Sequence, residues 1–115
     1  MEKINSLVQK IINFRNERDW KQFHTPKNLA ISLSLEAAEV LEHFQWKRDE
    51  EIEEYIKKHK EDLADELADV FNYLLLLADT AEIEIIEATE NKLKKNAEKY
   101  PIDKARGSAK KYNQL

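Results

Sequence analysis

With 115 residues, 42% of them apolar and 37% charged, the chain is sized for one domain, expected to span residues 1–115, and suits neither a disordered tail nor a membrane protein. No apolar run approaches the about 18 residues of a membrane span, and no secretory signal is visible, so the cytoplasm is the expected location; the absence of cysteine excludes disulfides, thiolate chemistry and cysteine-ligated zinc. The net charge of −4 divides unevenly: residues 92–112 carry eight Lys/Arg against two acids, a local +6 beside a body of −10. That division suits an anionic ligand, or a solvated lysine-rich face, better than duplex nucleic acid.

Taken in chain order, Ile4, Leu7, Val8, Ile11 and Ile12 recur at helical spacing and predict a first helix over about Ile4 to Arg18. Trp20, Phe23 and His24 fall in a connector. Thr25 before Pro26 reads as a cap followed by a first-position proline, opening a second helix that runs to about Gln45. A short, highly charged helix is expected from about Asp49 to Lys58. A long one follows from about Glu61 to Asp79, apolar nearly all round at Leu74 to Leu77, and a last one runs from about Ile83 to Lys99, where Pro101 stops it. Residues 102–115 form a basic tail. A single glycine, two prolines and no sustained β-branched alternation leave no material for a sheet. The expected fold is therefore all-α: an antiparallel bundle of four main helices with a short extra helix, its apolar helix covered in part by another subunit.

Two pairs of acids stand out within the apolar stretches. Glu36 and Glu39 are the only charged residues between Leu29 and Leu41; Asp69 is the only one between Leu67 and Ala78, with Glu66 one turn before it. Residues three apart share a helix face, so each pair forms a two-carboxylate edge. Either pair alone is ordinary on a surface helix. If the edges face one another, each like-charge pair about 4 Å apart costs roughly 4 kcal/mol at an effective dielectric near 20, and a cation must offset this. Ligands that are all oxygen favour Mg²⁺, with Mn²⁺ as a substitute, and Mg²⁺ in turn points to phosphate chemistry. A di-iron bundle needs Glu-x-x-His, but Lys21, Val40 and Ile56 precede His24, His43 and His59 by three.

The same residues carry a resemblance. Glu36-Ala37-Ala38-Glu39, Glu66-Leu67-Ala68-Asp69, and Lys92 with Asn96 ahead of Lys99-Tyr100-Pro101 resemble the all-α MazG-like NTP pyrophosphohydrolases. The blocks Arg18 to His24, Phe44 to Lys47 and Ala105 to Tyr112 are similar to the dCTP pyrophosphatase branch. The resemblance implies Mg²⁺ on Glu36, Glu39, Glu66 and Asp69, with Trp20, His24, Trp46 and Tyr73 near base and sugar. Helical spacing also puts Tyr73 one turn beyond Asp69 on the same face. The resemblance further implies that Lys92 and Asn96 position the triphosphate, and that Arg106, Lys110, Lys111 and Tyr112 grip phosphate from the tail. Glu39 is the carboxylate expected nearest the attacking water. The expected reaction releases pyrophosphate from a nucleoside triphosphate, in a homodimer or homotetramer. A non-catalytic nucleotide sensor and a helical interaction protein remain open as rival readings.

Overall fold

The computed structural model describes residues 2–115, and among them there are helices and turns but no strand. The helices are α1 (Glu2–Glu17), α2 (Pro26–Glu42), α3 (Asp49–Lys58), α4 (Lys60–Thr80), α5 (Ile85–Lys99) and the short α6 (Ile102–Ala105). Single 3₁₀ turns occur at Lys21–Phe23 and Tyr112–Gln114. No helix among the described residues is long and apolar enough to cross a membrane.

The chain divides into two compact units, one ending at Glu82 and the other covering Ile83–Leu115. In the first, α4 is the hub: its main partner is α2, and α1 and α3 also pack on it. The buried apolar centre is small, comprising Leu29 of α2 with Leu75, Leu76 and Ala78 of α4. Leu74 and Leu77 are half-buried, so the long helix is enclosed where its sequence is apolar all round, but only in part. Farther along, Ile31 and Leu35 of α2 and Leu67 of α4 remain exposed. Arg15 of α1 is the one buried charged side chain among the described residues, and its guanidinium pairs with Asp79 at 3.7 Å.

Local chemistry explains the boundaries. Thr25 Oγ1 accepts from the Asn28 backbone N–H at 3.2 Å, which starts α2 at Pro26 as the cap-and-proline pair requires. Helix α3 has the expected bounds, with Asp49, Glu50 and Glu51 at the positive end of its dipole and Lys57 and Lys58 at the negative end. Helix α2 stops at Glu42, three residues early, because the Phe44 and Gln45 N–H groups both turn back to the Leu41 carbonyl. Helix α5 starts at Ile85, two residues late, because the Glu84 carboxylate accepts from the N–H groups of Ile86 and Glu87 at 3.1 and 2.8 Å. In the second unit α5 is followed by α6, a single turn within the stretch expected to be tail.

Candidate active site

The dominant α2–α4 packing sets the two acidic edges against each other electrostatically. Glu36 is half-buried, its Oε2 is enclosed and meets no hydrogen-bond donor, and burial holds its carboxyl above the usual carboxylate range. The adjacent Glu39 raises it further, and the charges of Asp69 and Glu66 on the facing helix act the same way. All four expected carboxylates thus share one electrostatic neighbourhood. Glu66 Oε2 is also enclosed, and the group against it is His43 Nε2, in direct contact. No three acids or imidazoles among the described residues converge as a ready coordination shell. Still, an orphaned Glu36 oxygen with three further carboxylates acting on it fits a hard cation, and Mg²⁺ fits that all-oxygen donor set.

Beside Asp69 lies a cleft of about 390 Å³, within the size range of small-molecule sites. Trp20, His24 and Tyr73 line it together, with Phe14, Arg15 and Asn72. The connector that supplies Trp20 bends at Asp19, whose φ of 53° lies in the left-handed region, and the Trp20 N–H then returns to the Arg15 carbonyl at 3.1 Å. This bend sets the Trp20 ring edge-on to Phe14, with centroids 5.7 Å apart, and 6.3 Å from His24. Arg18 covers Phe14, its guanidinium carbon 3.6 Å from the ring centroid. The cleft offers aromatic faces and edges to a ring, with the Asp69 carboxylate and the cationic Lys10 and Arg15 also in its lining. Trp46 does not join it: it sits in the turn after α2 and is 87% exposed.

In the second unit, Lys92 and Asn96 lie one turn apart on α5 and line a shallow depression with Thr89 and Leu93. Arg106, Lys110 and Lys111 are exposed. Tyr112 is edge-on to Tyr100 at 6.2 Å, with the Lys99 ammonium 4.9 Å from its ring centroid. The tail therefore packs on its own unit through Tyr112 and presents its cations outward.

The MazG-like family matches residues 31–115. The chain belongs to that family. It is 41% identical to mouse dCTP pyrophosphatase 1 over 104 residues, 89% of this chain and 61% of the relative, and 39% identical to the human protein over the same span. The chain thus spans about three-fifths of the length of the curated relatives it matches. Among solved structures it is similar to a pyrophosphatase of Archaeoglobus fulgidus, with TM-score 0.83 and 47% identity over 86% of this chain and 93% of that one.

Four features of this MazG-like chain escaped the sequence reading. Phe14 and Asn72 line the cleft, and His43 and Tyr55 connect to Glu66. Asn72 lies three residues after Asp69 and His43 four after Glu39, so helical spacing from the acids reaches both. His24 carries a testable consequence. Its ring is half-buried with Nδ1 unpartnered, and burial first, then the positive charge of Arg15, lowers its pKa below the ordinary 6.5. The unfolded chain then binds the proton more readily than the fold does, so this contribution to stability is present above about pH 6.5 and is lost as pH falls through the folded-state value. Urea midpoints measured from pH 7.5 downward are expected to drop less in His24→Gln than in the parent; parallel curves would contradict it.

Proposed function

We propose that this chain is a Mg²⁺-dependent nucleoside triphosphate pyrophosphohydrolase that converts dCTP, or a 5-substituted dCTP, to the monophosphate and pyrophosphate. The observation that carries this reading is the enclosed, unpartnered Glu36 oxygen, whose ionisation the charges of Glu39, Asp69 and Glu66 oppose, beside an aromatic cleft that Asp69 borders. The names of the relatives and of the similar solved structure support it.

Glu36, Glu39, Glu66 and Asp69 would hold the ion. Bound there, Mg²⁺ supplies positive charge that offsets their repulsion and polarises phosphoryl oxygens. Trp20 and Tyr73 flank the base and sugar in the cleft, and the unpartnered Nδ1 of His24 is free to bond a polar edge of the base. Glu39, the exposed member of its pair, accepts a proton from the attacking water. The water oxygen bonds to the α-phosphorus as the bond to the α–β bridging oxygen breaks, and pyrophosphate leaves. Lys92 and Asn96 position the triphosphate, and Arg106, Lys110, Lys111 and Tyr112 neutralise or contact the departing phosphates. A homodimer or homotetramer is part of the proposal, supported by the exposed Ile31, Leu35 and Leu67 on the helices that carry the carboxylates.

Incubation with each of the four dNTPs and Mg²⁺, with chromatography of the products, tests the reading. Conversion of dCTP to dCMP and pyrophosphate is expected, with pyrimidines preferred over purines in kcat/KM. A purine favoured by about tenfold would overturn the cytosine assignment, and binding without turnover would leave a sensor. Trp46→Ala is expected to raise KM while the metal requirement persists, because an indole that is 87% exposed in the single chain is free to cover the base in the cleft of a neighbouring copy of the proposed oligomer.

A further inference from the structure

Helix α3 contributes no carboxylate to the proposed metal site, yet it reaches one of its members through two side chains. Tyr55 Oη lies 2.5 Å from His43 Nδ1, and His43 Nε2 pairs with Glu66 Oε2. The contact lies at the α2–α3–α4 junction, where the His43 side chain is 11% and the Glu66 side chain 28% exposed. Tyr55 is itself fixed on several sides. Its ring stacks on His59 with centroids 4.4 Å apart and meets Phe44 edge-on at 6.2 Å, while the Lys47 ammonium stands 4.0 Å from its centroid.

Resting on the pyrophosphohydrolase reading, we propose that His43 and Tyr55 are positioning residues for Glu66, and that α3 serves to brace this metal ligand. A carboxylate can only accept, so Nε2 of His43 must carry a proton; a neutral ring then accepts at Nδ1 from the Tyr55 O–H. The Tyr55 hydroxyl thereby selects the tautomer that donates to Glu66. One carboxylate oxygen is tied to the protein and Oε1 is left as the donor to a divalent cation. Such outer partners typically change metal affinity by about 10- to 100-fold when removed. Loss of a merely structural contact would instead lower the melting temperature and leave metal affinity unchanged.

Mn²⁺ binding to the full chain, followed by the electron paramagnetic resonance signal of the free ion, separates these roles. Tyr55→Phe and His43→Ala are each expected to weaken Mn²⁺ binding by about tenfold. His43→Gln, whose amide can still donate to Glu66, should recover most of the loss, and the KM for dCTP at saturating metal should not move. Should His43→Ala fail to fold, Tyr55→Phe decides alone, because it removes one oxygen from a ring still packed against His59 and Phe44. Folded variants that bind Mn²⁺ within about twofold of the parent would overturn the brace and leave the enzyme reading intact. A parent chain that binds no Mn²⁺ would overturn the metal reading and the brace with it.

Discussion

Glu36→Gln and Asp69→Asn are each expected to lower kcat for dCTP hydrolysis by at least about two orders of magnitude, the scale of removing one preorganised electrostatic group. Hydrolysis by the parent should stop when Mg²⁺ is chelated and return with Mg²⁺ or Mn²⁺. The Glu36 substitution carries an internal control. Its carboxyl is held above the usual range by burial and by three like charges, so its ionised form opposes folding when no cation is bound. An amide removes that opposition, so metal-free Glu36→Gln should melt no lower than the metal-free parent. Added Mg²⁺ should raise the melting temperature of the parent more than that of the variant. Loss of activity in a variant at least as stable as the parent assigns the effect to the site. Parent-like turnover by either variant would remove Glu36 or Asp69 from it.

Leu29→Ala is expected to reduce the free energy of unfolding by about 3.5 kcal/mol, the middle of the range for emptying a fully buried leucine site. Leu29 is 1% exposed, and its helix packs chiefly on α4, so the cavity would open at the contact that holds the acidic edges together. Leu35 lies on the same helix but is 61% exposed in the single chain. Its replacement by Ala should change stability by no more than about 0.5 kcal/mol at dilutions where light scattering reports one 13.6 kDa chain. At concentrations where the proposed pairing forms, a larger penalty is expected, because a second copy would cover the side chain. Urea titrations at the two concentrations, analysed beside the scattering mass, check both values. Equal penalties for Leu35→Ala at both would exclude it from an interface.

What the sequence by itself determined was local. Thr25-Pro26 set the start of α2, the acidic and basic ends of Asp49–Lys58 set α3, and the run from Leu67 to Ala78 marked α4 as the helix others pack against. Glu36/Glu39 and Glu66/Asp69 were recognisable as two edges because a helix repeats every 3.6 residues, a rule that needs no partner. Caps made by side chains already show the limit. Glu84 claims the first N–H groups of α5, and the Leu41 carbonyl ends α2 early, choices that hydropathy spacing does not record.

Tertiary structure decided which faces meet. Trp20 and Trp46 look alike as aromatic residues near helix ends, yet the left-handed turn at Asp19 carries one into the cleft with His24 and Tyr73, while the other stays exposed. The Tyr55–His43–Glu66 contact joins residues 55, 43 and 66 from three helical segments. The periodicity of one helix fixes the order of side chains around its own axis. It does not fix the rotation or crossing of the next helix, which follow from how side chains interdigitate. Like charge alone therefore dictates that facing acidic edges need a cation, and only the packing of α2 on α4 brings the two edges within reach of each other.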